Sequence, residues 1–139
     1  MVRWTNLIML LILMGVMEQW VAVPVLKKCL FGTVLPVWMV ILLMAAVVLI
    51  AAGGYVINDY FDIKIDRINK PEKLIVTNQV SKEQAMRCHQ VLTILGASCG
   101  LVVAWFCRSW SLALTILLVP GILWFYSSSY KRQFIIGNV

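Results

Sequence analysis

Three of the six acidic residues in this chain fall within eight positions, Asp59, Asp62 and Asp66, immediately after Asn58. The stretch Asn58-Asp59-Tyr60-Phe61-Asp62-Ile63-Lys64-Ile65-Asp66-Arg67 continues directly from an apolar run. If helical geometry persists through it, each step of four residues turns the azimuth by only about 40°. Asn58, Asp62 and Asp66 then form a ladder on one face, with Asp59 about a quarter-turn away. Stacked like charges repel, so the ladder costs stability unless something neutralises it. Lys64 and Arg67 are near in sequence but point mostly to other faces. A hard divalent cation is the natural remedy, because the ligands on offer are amide and carboxylate oxygens, and no His or Cys lies close enough in sequence to favour zinc. Magnesium takes one or two carboxylates and fills its other positions with water and phosphate oxygens. A partly filled oxygen site at a membrane surface, ringed by Lys and Arg, would suggest a diphosphate-bearing lipid. Spacing alone leaves a second reading open, a solvated loop of mixed charge.

The elements that must position these residues are apolar helices. The 139 residues are 62% hydrophobic and 13% charged, with mean hydropathy +0.91. Soluble domains run near half apolar and a quarter charged. Four runs approach the roughly 20 residues that a spanning helix needs, at about 4–26, 34–57, 88–106 and 109–126. The expected fold is an all-α, polytopic transmembrane helix bundle with a polar loop over about 58–87. Gly96 and Gly100 form a G-x-x-x-G spacing that allows close helix approach, and Pro120 is expected to interrupt and kink the fourth helix. Arg3 ahead of an apolar run resembles a signal peptide, but Glu18 and Gln19 follow that run and no small-x-small cleavage site is present.

Charge placement sets orientation. Arg3, Lys64, Arg67, Lys70, Lys73, Lys82, Arg87, Lys131 and Arg132 fall on one side, and Lys27, Lys28 and Arg108 on the other. Nine against three places the N-terminus and the acidic stretch in the cytoplasm. The net charge of +6 therefore serves anionic lipid and topology, and nucleic-acid binding is excluded because no basic stripe with stacking aromatics is present. Cys29, Cys88, Cys99 and Cys107 show no metal-type spacing and read as structural. His89, the one histidine, reads as interfacial. Glu18, late in the first run, is a functional candidate by virtue of its charge, with snorkelling to the interface at least as good a reading.

Asn58-Asp59-x-x-Asp62-x-x-x-Asp66 resembles the first aspartate-rich motif of the UbiA-type intramembrane prenyltransferases. Arg67-Ile68-Asn69-Lys70-Pro71 is similar to the segment that follows it in many members, although Lys73-Leu74 stands where many carry Arg-Pro. Arg3-Trp4-Thr5-Asn6 resembles the R-x-x-N that opens the family's first helix. Tyr126-Ser127, Lys131-Arg132 and Gly137-Asn138 resemble the passage from the fourth helix to the fifth. The resemblance implies magnesium-dependent transfer of a prenyl group from an allylic prenyl diphosphate to a membrane-accessible acceptor. Asn58, Asp62 and Asp66 would be catalytic and hold the metal. Arg67, Lys73, Lys131 and Arg132 would assist the diphosphate, with Asp59, Tyr126, Arg3 and Asn6 as weaker substrate contacts. Tyr55, Tyr60 and Phe61 join Tyr126 as aromatic faces for a passing carbocation; interfacial anchoring is their commoner use. The family's pattern has about nine spanning helices and a second aspartate-rich motif. With Glu18, Glu72 and Glu83 as the only other acids, these 139 residues hold no second motif. The chain thus reads as the first half of such a domain, completed by a C-terminal half. The wording around Asn58–Lys73 looks nearest to the branch that makes geranylgeranylated glycerophospholipids; aromatic rings, quinone precursors and porphyrin derivatives are further acceptors that the resemblance allows. A CDP-alcohol phosphotransferase is disfavoured by the missing D-G-x-x-A-R opening. A non-catalytic small membrane protein or decayed half-enzyme is the alternative reading.

Overall fold

The computed structural model describes residues 3–24, 35–69 and 80–130, and among these the side chains of all but 64–69, 129 and 130. Four of its helices are long and apolar enough to cross a bilayer. Helix α1 spans Trp4–Ala22, with a π turn over Glu18–Ala22. Helix α2 spans Val37–Asn69, α3 spans Lys82–Phe106, and α4 spans Trp110–Phe125 and runs on into a π turn at Tyr126–Tyr130. Cys29, Lys73, Lys131 and Arg132 lie outside the described residues.

The loop expected over about 58–87 is cut back from both sides. Helix α2 does not end near residue 57 but continues as one 33-residue helix to Asn69. No Gly or Pro falls between Tyr55 and Asn69, and Val56, Ile57 and Ile63 bury their side chains against neighbours. At about 1.5 Å per residue the helix is roughly 50 Å long, well beyond the hydrocarbon core of about 30 Å. Helix α3 begins at Lys82 rather than near Cys88 because a capping box starts it. Gln84 N–H donates to Ser81 Oγ at 3.1 Å, and Ser81 N–H donates to Gln84 Oε1 at 3.0 Å. Pro120 does not break α4, whose helical assignment runs through it to Phe125. In an apolar surrounding, unwound backbone would leave polar groups without water to receive them, which favours an unbroken helix.

Helix α2 is the centre of the bundle. It packs on α3 along its length through small residues. A Cβ added to Gly96 would meet the Ala46 carbonyl oxygen at 2.9 Å and Leu49 Cβ at 3.0 Å, so two backbones touch there. Gly100 gives room instead to Ile116 of α4, so the two glycines of the G-x-x-x-G spacing serve different neighbours. Near the acidic end, His89 Nδ1 lies 3.0 Å from the Gly53 carbonyl oxygen. A carbonyl can only accept, so this nitrogen carries the proton. His89 is therefore a half-buried tie between α2 and α3. Helix α4 reaches α2 through Leu123 on Gly54 and through Trp124, whose ring lies 6.2 Å from that of Phe61 at 76°. Helix α1 is covered least, with Gly15 approaching Met44. Trp4, Trp20, Trp105 and Trp110 stand exposed near helix ends, where indoles sit at a membrane interface.

Gly96→Ala is expected to lower stability by about 1–3 kcal/mol, since the added methyl meets backbone. Gly121→Ala, with nothing within 4 Å of its added Cβ, should be neutral or gain about 0.5–1 kcal/mol from helix propensity. Unfolding of the two variants side by side in one detergent checks the contrast. Equal stability in both would refute the close α2–α3 approach.

Candidate functional site

The azimuths on α2 sort its last turns into three faces. Counted from Tyr55 at about 100° per residue, Asp62 and Asp66 stand within roughly 20°, Asp59 at about 40° and Asn58 at about 60° on the other side. Val56, Tyr60 and Ile63 form the flank that meets α3, where they pack with Val80, Ala85, Cys88 and Leu92. Gly54 and Phe61 form the opposite flank, which meets α4. The polar stripe is what remains between the two docked helices.

Within this stripe the ladder expected from spacing exists at its first rung. Asn58 Nδ2 donates to Asp62 Oδ2 at 3.0 Å, and both side chains are half-buried. Asp59, also half-buried, lies beside them. Asp66 and Arg67 continue the helix by their backbone, and their side chains are not among those described. Among the described residues no three His, Cys, Asp or Glu side chains gather as a metal-holding group. What stands there is an amide hydrogen-bonded to a carboxylate, with a second carboxylate next in sequence. Their cation-binding atoms are all oxygens, the donor set that suits magnesium and not zinc.

The start of α1 joins the stripe at Tyr55. The Arg3 guanidinium carbon lies 5.8 Å from the Tyr55 ring centroid, a cation–π contact. Below it a groove of about 510 Å³ opens between α1 and α2, lined by Asn6 and Tyr55 together with Met9, Leu10, Leu13 and Val16. It is polar where Asn6 and Tyr55 lie and apolar elsewhere. From the other side, the π turn at the end of α4 packs along α2. This turn buries Ser127 and begins with Tyr126, whose residue is about half exposed at 49%.

The structure thus brings Arg3, Asn6, Tyr55, Asn58, Asp59 and Asp62 to one end of the bundle, with Phe61 and Tyr126 at its α4 edge. Tyr60 does not belong with them. It turns to the α3 flank, beside Lys82, Glu83, Met86 and Arg87. One contributor escaped the sequence reading. Trp124, at the end of an apolar run, looks like an interfacial anchor until its contact with Phe61 is seen.

Comparison with known proteins agrees with this architecture. The sequence pattern described as the UbiA prenyltransferase family matches residues 29–139. A digeranylgeranylglyceryl phosphate synthase from Ignicoccus hospitalis is 37% identical over 95 residues, covering 68% of this chain and 30% of that protein. One from Saccharolobus solfataricus is 41% identical over 101 residues, covering 71% of this chain and 34% of its own. A solved structure, from work on digeranylgeranylglyceryl phosphate synthase in membranes, superimposes with a TM-score of 0.61 and 28% identity, over 70% of this chain and 33% of that one. The chain spans about a third of the length of these curated relatives. Helices that can cross a bilayer, an asparagine–aspartate rung at the end of the second of them, and a family match over most of the sequence converge: this integral membrane protein belongs to the UbiA prenyltransferase family.

Proposed function

We propose that this chain carries the diphosphate-binding half of a membrane prenyltransferase that alkylates a glycerol-lipid hydroxyl. The observation that carries the reading is the Asn58–Asp62 hydrogen bond, which joins the asparagine of the motif to an aspartate one turn on along α2, one turn beyond Tyr55 at the mouth of an apolar groove. The acceptor class is supported by the relatives, which are named for a glyceryl phosphate bearing two geranylgeranyl chains.

In the proposed reaction the bond between the allylic carbon and the diphosphate oxygen breaks, and the diphosphate departs with the electron pair. The hydroxyl oxygen of a singly prenylated glyceryl phosphate bonds to the allylic carbon, and its proton passes to the departing diphosphate. Asn58, Asp62 and Asp66 would hold Mg²⁺, with Asp59 beside them; the bound ion supplies positive charge against the leaving diphosphate. Arg67, Lys73, Lys131 and Arg132 would add fixed positive charge from the same side. Tyr55, Phe61 and Tyr126 would border the cation with ring faces, which attract positive charge and offer it no nucleophile. The groove between α1 and Tyr55 of α2 is apolar apart from Asn6 and Tyr55, which suits a polyprenyl tail. The nine-to-three distribution of basic residues supports a cytoplasmic position for the N-terminus and the acidic end. The second acidic motif of the resemblance would come from further polypeptide, in the same chain or another.

Held in nanodiscs, the chain should retain geranylgeranyl diphosphate in magnesium and release it on chelation. Asp62→Ala should weaken that retention at least about tenfold, as loss of a charged ligand group predicts. Retention indifferent to both magnesium and Asp62 would sink the proposed site. In a form of the protein that supplies the second motif, Asp62→Ala should cost on the order of 10²–10³ in turnover. Such a form should also prenylate geranylgeranylglyceryl phosphate in preference to 4-hydroxybenzoate, with product identity read by mass spectrometry. A preference for the aromatic acceptor would overturn the acceptor assignment and leave the metal site standing.

A further inference from the structure

The turn between α3 and α4 lies at the end of the bundle away from the acidic stripe. It stands beside the start of α2, where the Trp38 and Phe106 rings meet edge to face at 5.3 Å. Its backbone closes as a Schellman motif. Ser109 N–H donates to the Ala104 carbonyl at 3.0 Å, and Arg108 N–H donates to the Trp105 carbonyl at 3.1 Å. That closure needs a left-handed residue at position 108, and Arg108 has φ 48°. Glycine fills such a place at least cost, because it has no Cβ to crowd the carbonyl. An arginine there is disfavoured by that conformation.

The side chain is not spent on a carboxylate, since Arg108 makes no ion pair among the described residues. Instead it lines a cleft of about 390 Å³ with Ala104, Trp105, Ser109 and Trp110. The two tryptophans are 81% and 89% exposed. Ser109 Oγ accepts Leu112 N–H at 3.3 Å, which leaves its hydroxyl hydrogen as a second donor at the cleft. A guanidinium and a hydroxyl, with no acid among the lining residues, fit an oxyanion. The cleft beside Lys82 and Arg87 at the other end differs, because Glu83 stands 4.0 Å from Arg87 and opposes an anion. A soluble anion would leave the two indoles uncovered. A lipid covers them, since indoles sit where headgroup meets acyl chain.

We propose that this cleft binds the phosphate of an anionic phospholipid in the leaflet away from the acidic end. Arg108 and Ser109 hold the phosphate oxygens, and Trp105 and Trp110 flank the glycerol and ester region. The site is independent of the prenyl-transfer reading and of the acidic stripe.

The test places the full chain in nanodiscs of phosphatidylcholine with a minority of phosphatidylglycerol, and counts lipids retained by native mass spectrometry. The wild type is expected to keep phosphatidylglycerol in preference to phosphatidylcholine. Arg108→Gln should reduce that retention about tenfold, as loss of a charge-assisted contact predicts, and Arg108→Lys should restore part of it. Arg108→Gly separates ligand from scaffold. It relieves the left-handed backbone, so thermal stability in pure phosphatidylcholine should hold or rise while phosphatidylglycerol retention falls as in Arg108→Gln. Inorganic phosphate in the buffer should not displace the lipid. Unchanged retention in Arg108→Gln and Arg108→Gly, equal retention of the two lipids by the wild type, or displacement by inorganic phosphate would each overturn the proposal.

Discussion

A helix that begins with a tryptophan among valines and carries carboxylates toward its end must satisfy two solvents with one unbroken backbone. Helix α2 does so over 33 residues. In hydrocarbon its amides have no water to bond with, so the helical ladder cannot open before the boundary. Past the boundary the same ladder continues, because Asn58 spends its amide on Asp62 one turn away and Ile63 is still buried. That continuity gives the acidic residues a fixed azimuth. On a flexible loop, three like charges would spread apart in water. On a helix they stay within about 60° of arc.

The other helices are arranged around that azimuth. Helix α3 comes closest, where Gly96 meets the backbone of α2 and where His89 reaches the Gly53 carbonyl. Helix α4 docks on the opposite flank by Leu123 on Gly54 and Trp124 on Phe61. Helix α1 touches the stripe at its polar start, through Arg3 on Tyr55. Apolar and small residues occupy both flanks, so the carboxylates are kept out of the helix interfaces, where an uncompensated charge is most costly. Their repulsion is thereby retained at the bundle's polar end.

The bundle has two chemically different ends. One gathers carboxylates, an arginine and tyrosines around α2, next to a groove with an apolar wall. The other carries exposed tryptophans and one strained arginine at a tight helical turn. Both place polar atoms where water and headgroups are available, and leave the lengths between them to aliphatic side chains. The cost of burying polar groups without partners accounts for this division.

Much of this was legible along the chain. Hydropathy alone marked four spans, since the bilayer sets a length that any spanning helix must reach. Four-residue spacing by itself places Asn58 and Asp62 on one face, because 3.6 residues per turn leaves little alternative once the segment is helical. The capping signature Ser81-x-x-Gln84 was also present, but hydropathy looks for apolar residues and so started the third helix too late. Sequence could not show that Tyr60 turns away to α3 while Phe61 meets Trp124, nor that His89 ties two helices together. Nor did any pattern announce that Arg108 takes a left-handed backbone. Periodicity within one helix is a local property of the backbone and is written in the order of residues. Which flank of that helix meets which neighbour depends on packing between segments far apart in the chain, and only the folded bundle decides it.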